Sequence, residues 1–241
     1  MELLFCFLLF VVAFLYASVG HGGASGYLAL MALFSVNPYL MKSSALILNL
    51  FVSIISFIRY YKEGYFTFRL FWPFAITSVP FAYLGAQLPL SEVLYKQILG
   101  LCLLLAIFRL LYFEKDLEEN HGKLQILPAL FIGAGIGLLS GMIGIGGGII
   151  LSTVILLLHW GRLKETAAVS ALFIFVNSLS GIAGLVVKGI MIENTVWIWV
   201  IIAFAGGFAG AYAGAKKFKF LALKYILAGV LMIASVKLFL I

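Results

Sequence analysis

Apolar residues do not alternate along this chain. They run in long blocks separated by short polar stretches. Each block approaches the roughly 20 residues that a helix needs to cross a bilayer. Segment 1 runs from Leu3 to about Phe34, segment 2 over about Ser43–Ile58, segment 3 over about Leu70–Leu90 and segment 4 over about Val93–Phe113. Segment 5 is Leu124–Trp160, segment 6 about Thr166–Val187, segment 7 about Asn194–Ala215 and segment 8 about Phe220–Ile241. Between segments 4 and 5 lies the one strongly polar stretch, Glu114–Lys123 (EKDLEENHGK). The pattern predicts an all-α integral membrane protein of about eight helical segments. A membrane β-barrel would need short strands of alternating polarity, which the continuous apolar blocks exclude.

Two segments contain glycine where a helix should continue. Segment 5 holds Gly141–Gly148 (GMIGIGGG), and segment 1 holds Val19–Gly26 (VGHGGASG), about 124 residues earlier in terms of the matching glycines. Each glycine inside a helix costs roughly 1 kcal/mol against Ala. Inside a membrane, a break is tolerated only where the freed backbone faces protein or a water-filled cavity. Glycine-broken segments at corresponding places in two halves are a sequence pointer to a transporter's binding site.

The halves also match elsewhere. Lys42-Ser43-Ser44-Ala45-Leu46 answers Ala168-Val169-Ser170-Ala171-Leu172, and Lys62-Glu63-Gly64 answers Lys188-Gly189. The expected organisation is a first repeat over 1–113, a linker over 114–123 and a second repeat over 124–241. Charge bears on how the repeats are oriented. If segments 1 and 5 cross fully, Lys and Arg divide eight against seven and favour neither face. If both are re-entrant hairpins, one face collects Arg59, Lys62, Arg69, Arg109, Lys115, Lys123, Arg162, Lys164, Lys216, Lys217, Lys219 and Lys224. The other keeps Lys42, Lys96 and Lys188, with Lys237 set aside inside segment 8. Cytoplasmic loops carry the excess of Lys and Arg, so the hairpin arrangement is preferred. It leaves an odd number of full spans per half and therefore inverted repeats.

Composition agrees with a membrane protein: 64% of the 241 residues are hydrophobic and 10% charged, against about 45–50% and 25% in an average soluble domain. The net charge of +7 then reads as the positive-inside rule and not as a nucleic-acid surface. Leu3–Leu15 followed by Ala17 and Ser18 resembles a leader, but Met1-Glu2 carries no positive charge, so it is expected to remain a membrane segment. Cys6 and Cys102 read as packing residues. Gly133, Gly137 and Gly141, Gly206, Gly210 and Gly214, and Ser78, Ala82 and Ala86 recur every four residues, a spacing that lets helix backbones approach.

Candidate chemistry centres on the breaks. Each glycine loop leads into a short helix, about Tyr27–Phe34 and Ile149–His159. A helix N-terminus offers unpaired N–H groups and about half a positive charge. Two such ends meeting near the midplane would hold an anion without a buried cation. The donors would be Gly20, Gly22, Gly23, Gly144, Gly146, Gly147 and Gly148. The alternative is that the glycines only permit tight crossing. His21 could bond the anion or carry a proton, or pack as a neutral ring. Asn49 and Asn177 lie deep in segments 2 and 6 and serve either as ligand contacts or as bonds between helices. Ser25 and Ser170 are weaker candidates, with Ser43, Ser44 and Ser178 beside them. Arg109 and Lys237 read as snorkelling side chains. No carboxylate lies within an apolar span, no cluster has metal-ligand spacing, and no ATP-binding motif is present. Neither enzyme activity nor any metal or cofactor is expected.

Gly144-Ile145-Gly146-Gly147-Gly148, followed by Glu165-Thr166-Ala167-Ala168-Val169-Ser170-Ala171-Leu172, Gly181 and Gly189, resembles the second repeat of the sulfite exporter TauE/SafE family, also called the toluene-sulfonate uptake permease family. Gly20-His21-Gly22-Gly23 and Lys42-Ser43-Ser44 resemble its first repeat. His21 stands where the family commonly has an apolar residue. The resemblance covers essentially the whole chain. It implies a multi-pass transporter of small sulfur-containing or organic anions in the bacterial cytoplasmic (inner) membrane. Expected partners are a small anionic substrate and membrane lipid, without nucleic acid; a homo-oligomer is an open alternative. The competing functions are an anion channel and a non-transporting membrane subunit.

Overall fold

A computed structural model describes residues 2–18, 23–112, 122–190, 193–214 and 220–240. Among these residues every regular element is a helix: α1 Glu2–Ser18, α2 Ala24–Leu33, α3 Pro38–Lys62, α4 Phe68–Gln87, α5 Glu92–Tyr112, α6 Ile126–Ile143, α7 Gly148–Leu157, α8 Leu163–Val187, α9 Thr195–Gly214 and α10 Phe220–Leu240. The broken segments 1 and 5 are thus two helices each, α1 with α2 and α6 with α7. Four helices are long and apolar enough to cross a membrane: Pro38–Lys62, Glu92–Leu111, Ile126–Ile143 and Leu163–Val187. The outer surface is apolar too. Phe131 is 72% exposed and Ile201 69%, which suits contact with lipid and not with water.

Local chemistry sets the ends. Asn37 caps α3, its side-chain oxygen accepting from the Tyr39 amide at 2.9 Å, with Pro38 in the first turn, where its missing N–H costs nothing. Segment 2 was expected to begin near Ser43; the cap carries it back to Pro38. The same closures recur in the two halves. α3 ends at Gly64 (φ +78°) and α8 at Gly189 (φ +78°). In both, the next amide folds back: Tyr65 to the Tyr60 carbonyl at 3.1 Å, Ile190 to Leu185 at 3.1 Å. α2 and α7 close alike on Ser35 (φ 56°) and His159 (φ 55°), a region that non-glycine residues seldom adopt.

The packing exchanges partners between the halves. α1 lies along α9 and α6 along α4; α3 packs on α8 and α5 on α10; α2 rests on α10 and α3, α7 on α8 and α5. The small-residue stripes make the closest of these contacts. A Cβ at Gly133, Gly137 or Gly141 would run into the carbonyls of Phe74, Ser78 and Ala82 on α4, and one at Gly206 or Gly210 into those of Phe10 and Phe14 on α1. This is the packing role expected of them.

Several contacts join helix ends. The Gly122 amide, ahead of α6, donates to the His159 carbonyl, after α7, at 2.9 Å. Phe5 near the start of α1 meets Phe34 at the end of α2, with ring centroids 5.3 Å apart. Lys164 at the start of α8 donates to the Tyr65 hydroxyl, beyond α3, at 3.0 Å. Lys237 in α10 donates to the Leu33 carbonyl at 2.7 Å and Ser35 at 2.8 Å, at the end of α2.

Candidate functional site

The turn between α6 and α7 is built by three glycines in the left-handed region: Gly144 (φ +83°), Gly146 (φ +74°) and Gly147 (φ +73°). That conformation costs other residues roughly 1–2 kcal/mol. Gly144 caps α6, its amide donating to Ser140 at 2.8 Å. Gly147 caps α7, its carbonyl accepting from Leu151 at 2.9 Å. The amides of Gly148, Ile149 and Ile150 therefore precede the first bond within α7, as at any helix start.

The two helix ends meeting in this turn are treated differently. The carbonyl end of α6 is met by donors from other helices. Tyr95 of α5 donates to Ile143 at 3.1 Å, and Asn49 Nδ2 of α3 reaches Gly144 at 3.4 Å. These offset the partial negative charge of that terminus. The amide end of α7 keeps its partial positive charge.

Neighbouring helices crowd the turn. A Cβ on Gly146 would stand 2.9 Å from Asn49 Nδ2, 2.9 Å from Ile174 and 3.4 Å from Ser178 Oγ. One on Gly147 would stand 3.0 Å from Phe173, and one on Gly148 would meet Ile174 and, at 3.1 Å, the Ser170 carbonyl. Asn49, Gly144, Gly146, Gly147, Gly148 and Ser170 are thus brought together, with Ser178 and Ser140 added. Four buried polar atoms here, Asn49 Oδ1 and the hydroxyls of Ser140, Ser170 and Ser178, have no hydrogen-bond partner among the described residues. A buried polar atom left unsatisfied costs about 1–3 kcal/mol.

The first break lies mostly outside the described residues: Gly20, His21 and Gly22 belong there, as does most of the linker. Gly23 caps α2 in the left-handed region (φ +75°) against the Tyr27 ring. Ser25 shares a 2.8 Å hydrogen bond with Tyr16. Asn177 is fully buried; its Nδ2 donates to Phe173 of its own helix at 2.9 Å, and its Oδ1 has no partner among the described residues.

Arg109 corrects the sequence reading. It does not snorkel: it is 4% exposed, and its Nε donates to Ser152 of α7 at 3.2 Å. It shares a small void of about 10 Å³ with Tyr16, Ser25 and Ile149, so a cation lies beside the first turns of both short helices. A charge inside an apolar segment was the available signal. Tyr95 and Ser140 gave none, since a hydroxyl in an apolar helix has many bland readings. Among the described residues no group of His, Cys, Asp and Glu could hold a metal, and Glu63, Glu92 and Glu193 are exposed.

Long apolar helices interrupted by glycine turns, with polar groups gathered at the interruption, define a polytopic membrane protein of the transporter class. Residues 5–238 match the family model for the sulfite exporter TauE/SafE, and the chain belongs to that family of membrane transporters. It is 36% identical to "Probable membrane transporter protein y4hK" of Sinorhizobium fredii (strain NBRC 101917 / NGR234), over 95% of this chain and 94% of that one. It is 22% identical to "Probable membrane transporter protein YdhB" of Bacillus subtilis (strain 168), over 89% of each. No solved structure matches it.

Proposed function

We propose that the chain is a secondary transporter of small anions, sulfur-containing or organic, and that the anion binds at the glycine turns. The observation that carries this is the asymmetry of the α6–α7 turn. Its carbonyl end is capped by Tyr95 and Asn49, while the first α7 amides precede any bond within the helix and lie beside four buried polar atoms that have no partner among the described residues. Backbone amides at a helix start bind anions without a countercharge. Gly144, Gly146, Gly147 and Gly148 supply donors, and Asn49, Ser170 and Ser178 orient the ligand. Gly20, His21, Gly22, Gly23 and Ser25 of the first half take the corresponding part, and Asn177 of α8, like Asn49, orients the ligand. The membrane is the bacterial cytoplasmic one.

The hairpin arrangement belongs to the same reading. The Gly122–His159 bond and the Phe5–Phe34 contact support segments that enter and leave on one face. The exchanged packing of α1 with α9 and α6 with α4 supports two inverted repeats, between which alternating access would occur.

The test is binding to purified protein, read as thermal stability against sulfite, thiosulfate, sulfate, sulfoacetate, taurine and simple carboxylates. A ligand of the native state at 100 times its Kd adds about 2.7 kcal/mol. A selective rise in Tm with one sulfur oxyanion or organic anion is expected. A rise only with cations or neutral solutes would overturn the proposal.

A further inference from the structure

A cavity of about 310 Å³ opens beside the glycine turn, between the ends of α3, α4, α5 and α8. Two lysines line it, one from each half of the chain. Lys42 is 8% exposed, and its ammonium donates to the Ala86 carbonyl at 2.8 Å. Lys188 donates to the next carbonyl, Gln87, at 2.9 Å. Both charges are thus drawn to the C-terminus of α4, where the helix dipole is negative. Held on successive carbonyls, they also face each other as like charges. Each spends one of the three donors of an ammonium group on its carbonyl, and among the described residues neither forms an ion pair with a carboxylate. The one acid in the cavity wall, Glu92, is engaged by Lys96 at 2.8 Å.

The cavity adjoins the proposed site. The Lys42 carbonyl stands 2.8 Å from where a Cβ on Gly144 would lie. Tyr95, whose hydroxyl caps α6 at Ile143, and Met142 are wall residues. The floor of the cavity is therefore the end of α6, with the glycine turn behind it.

We propose that this cavity is an anion-capture site, in which Lys42 and Lys188 together hold one small oxyanion before it passes to the glycine turn. A bridging oxyanion satisfies donors on both ammonium groups and screens their mutual repulsion. Its function in delivery rests on the transport reading above. Its charge selectivity does not.

The test measures that selectivity alone. Ser91, an exposed residue of the cavity wall, is changed to Cys in a background carrying Cys6→Ala and Cys102→Ala. The purified protein is reacted with an anionic sulfonatoethyl and a cationic trimethylammonioethyl methanethiosulfonate, each rate normalised to a free thiol. The anionic reagent is expected to be favoured several-fold, and sodium sulfate to slow it more than chloride at equal ionic strength. Lys188→Gln should bring the ratio down toward one. A ratio near one in the parent, or one unmoved by Lys188→Gln, overturns the proposal. If Ser91→Cys fails to fold, Leu88→Cys reports on the same wall. Gly146→Ala should leave the ratio intact, so failure of the glycine-turn reading is distinguishable from failure of this one.

Discussion

At the scale of single residues, backbone conformation and site chemistry can be separated by comparing two glycines. Gly146 and Gly64 both sit in the left-handed region, at φ +74° and +78°. A Cβ on Gly64 meets nothing within 4 Å, whereas one on Gly146 meets Asn49 and Ile174 at 2.9 Å. Alanine at either place bears the strain of that region, roughly 1–2 kcal/mol. Only Gly146→Ala is expected to abolish the anion-dependent rise in Tm. An equal loss of that rise in Gly64→Ala would mean that general destabilisation, and not the turn, governs binding. The glycines themselves were legible in the sequence because five in eight residues, Gly141 to Gly148, interrupt a helix. Their partners were not. Tyr95 lies 48 residues from Ile143, and Asn49 lies 95 from Gly144, and no local periodicity encodes such pairs. Charge misled in two ways. Lys42 falls just before the Ser43–Ile58 block in the sequence, yet it lies inside α3 and reaches α4; Arg109 reads as a snorkelling side chain, yet it turns inward to Ser152.

At the scale of elements, the sequence specifies helices well, since apolar blocks of this length leave few other structures in lipid. The four-residue stripes also foretold the packing faces, because that spacing places small residues in one line. α6 provides its own control for the energy involved. Gly137 presses on the Ser78 backbone, while a Cβ on Gly135 meets nothing within 4 Å. Gly137→Leu is expected to force α4 and α6 apart, at a cost of about 1–3 kcal/mol or more by the scale of core overpacking. Gly135→Leu is expected to change little. Thermal unfolding in detergent checks both; equal effects would show that the α4–α6 contact does not depend on close backbone approach.

At the scale of the whole molecule, the two arrangements left by the sequence make opposite statements about loops. If segments 1 and 5 cross fully, the end of α3 and the start of α8 lie on opposite faces of the membrane. If both segments are re-entrant, those ends share a face. Lys164 lies 3.0 Å from the Tyr65 hydroxyl, a contact that supports the second case, the one proposed above. The Lys188–Gln87 and Lys237–Leu33 bonds join helix ends in the same way, each across a pair that full crossing would separate. The twelve-to-three division in the sequence counts Arg109, which the fold buries against Ser152; without it the proposed arrangement still leaves eleven against three. In the proposed re-entrant arrangement the charge-rich face is cytoplasmic by the positive-inside rule. Cysteines at Glu63 and Lys164 are therefore expected to react with a membrane-impermeant maleimide only in inside-out vesicles, and cysteines at Tyr39 and Ser91 only in right-side-out ones. Labelling of Glu63→Cys and Lys164→Cys from opposite faces would restore full crossing. It would also undo the inverted repeat, because each half would then hold an even number of spans.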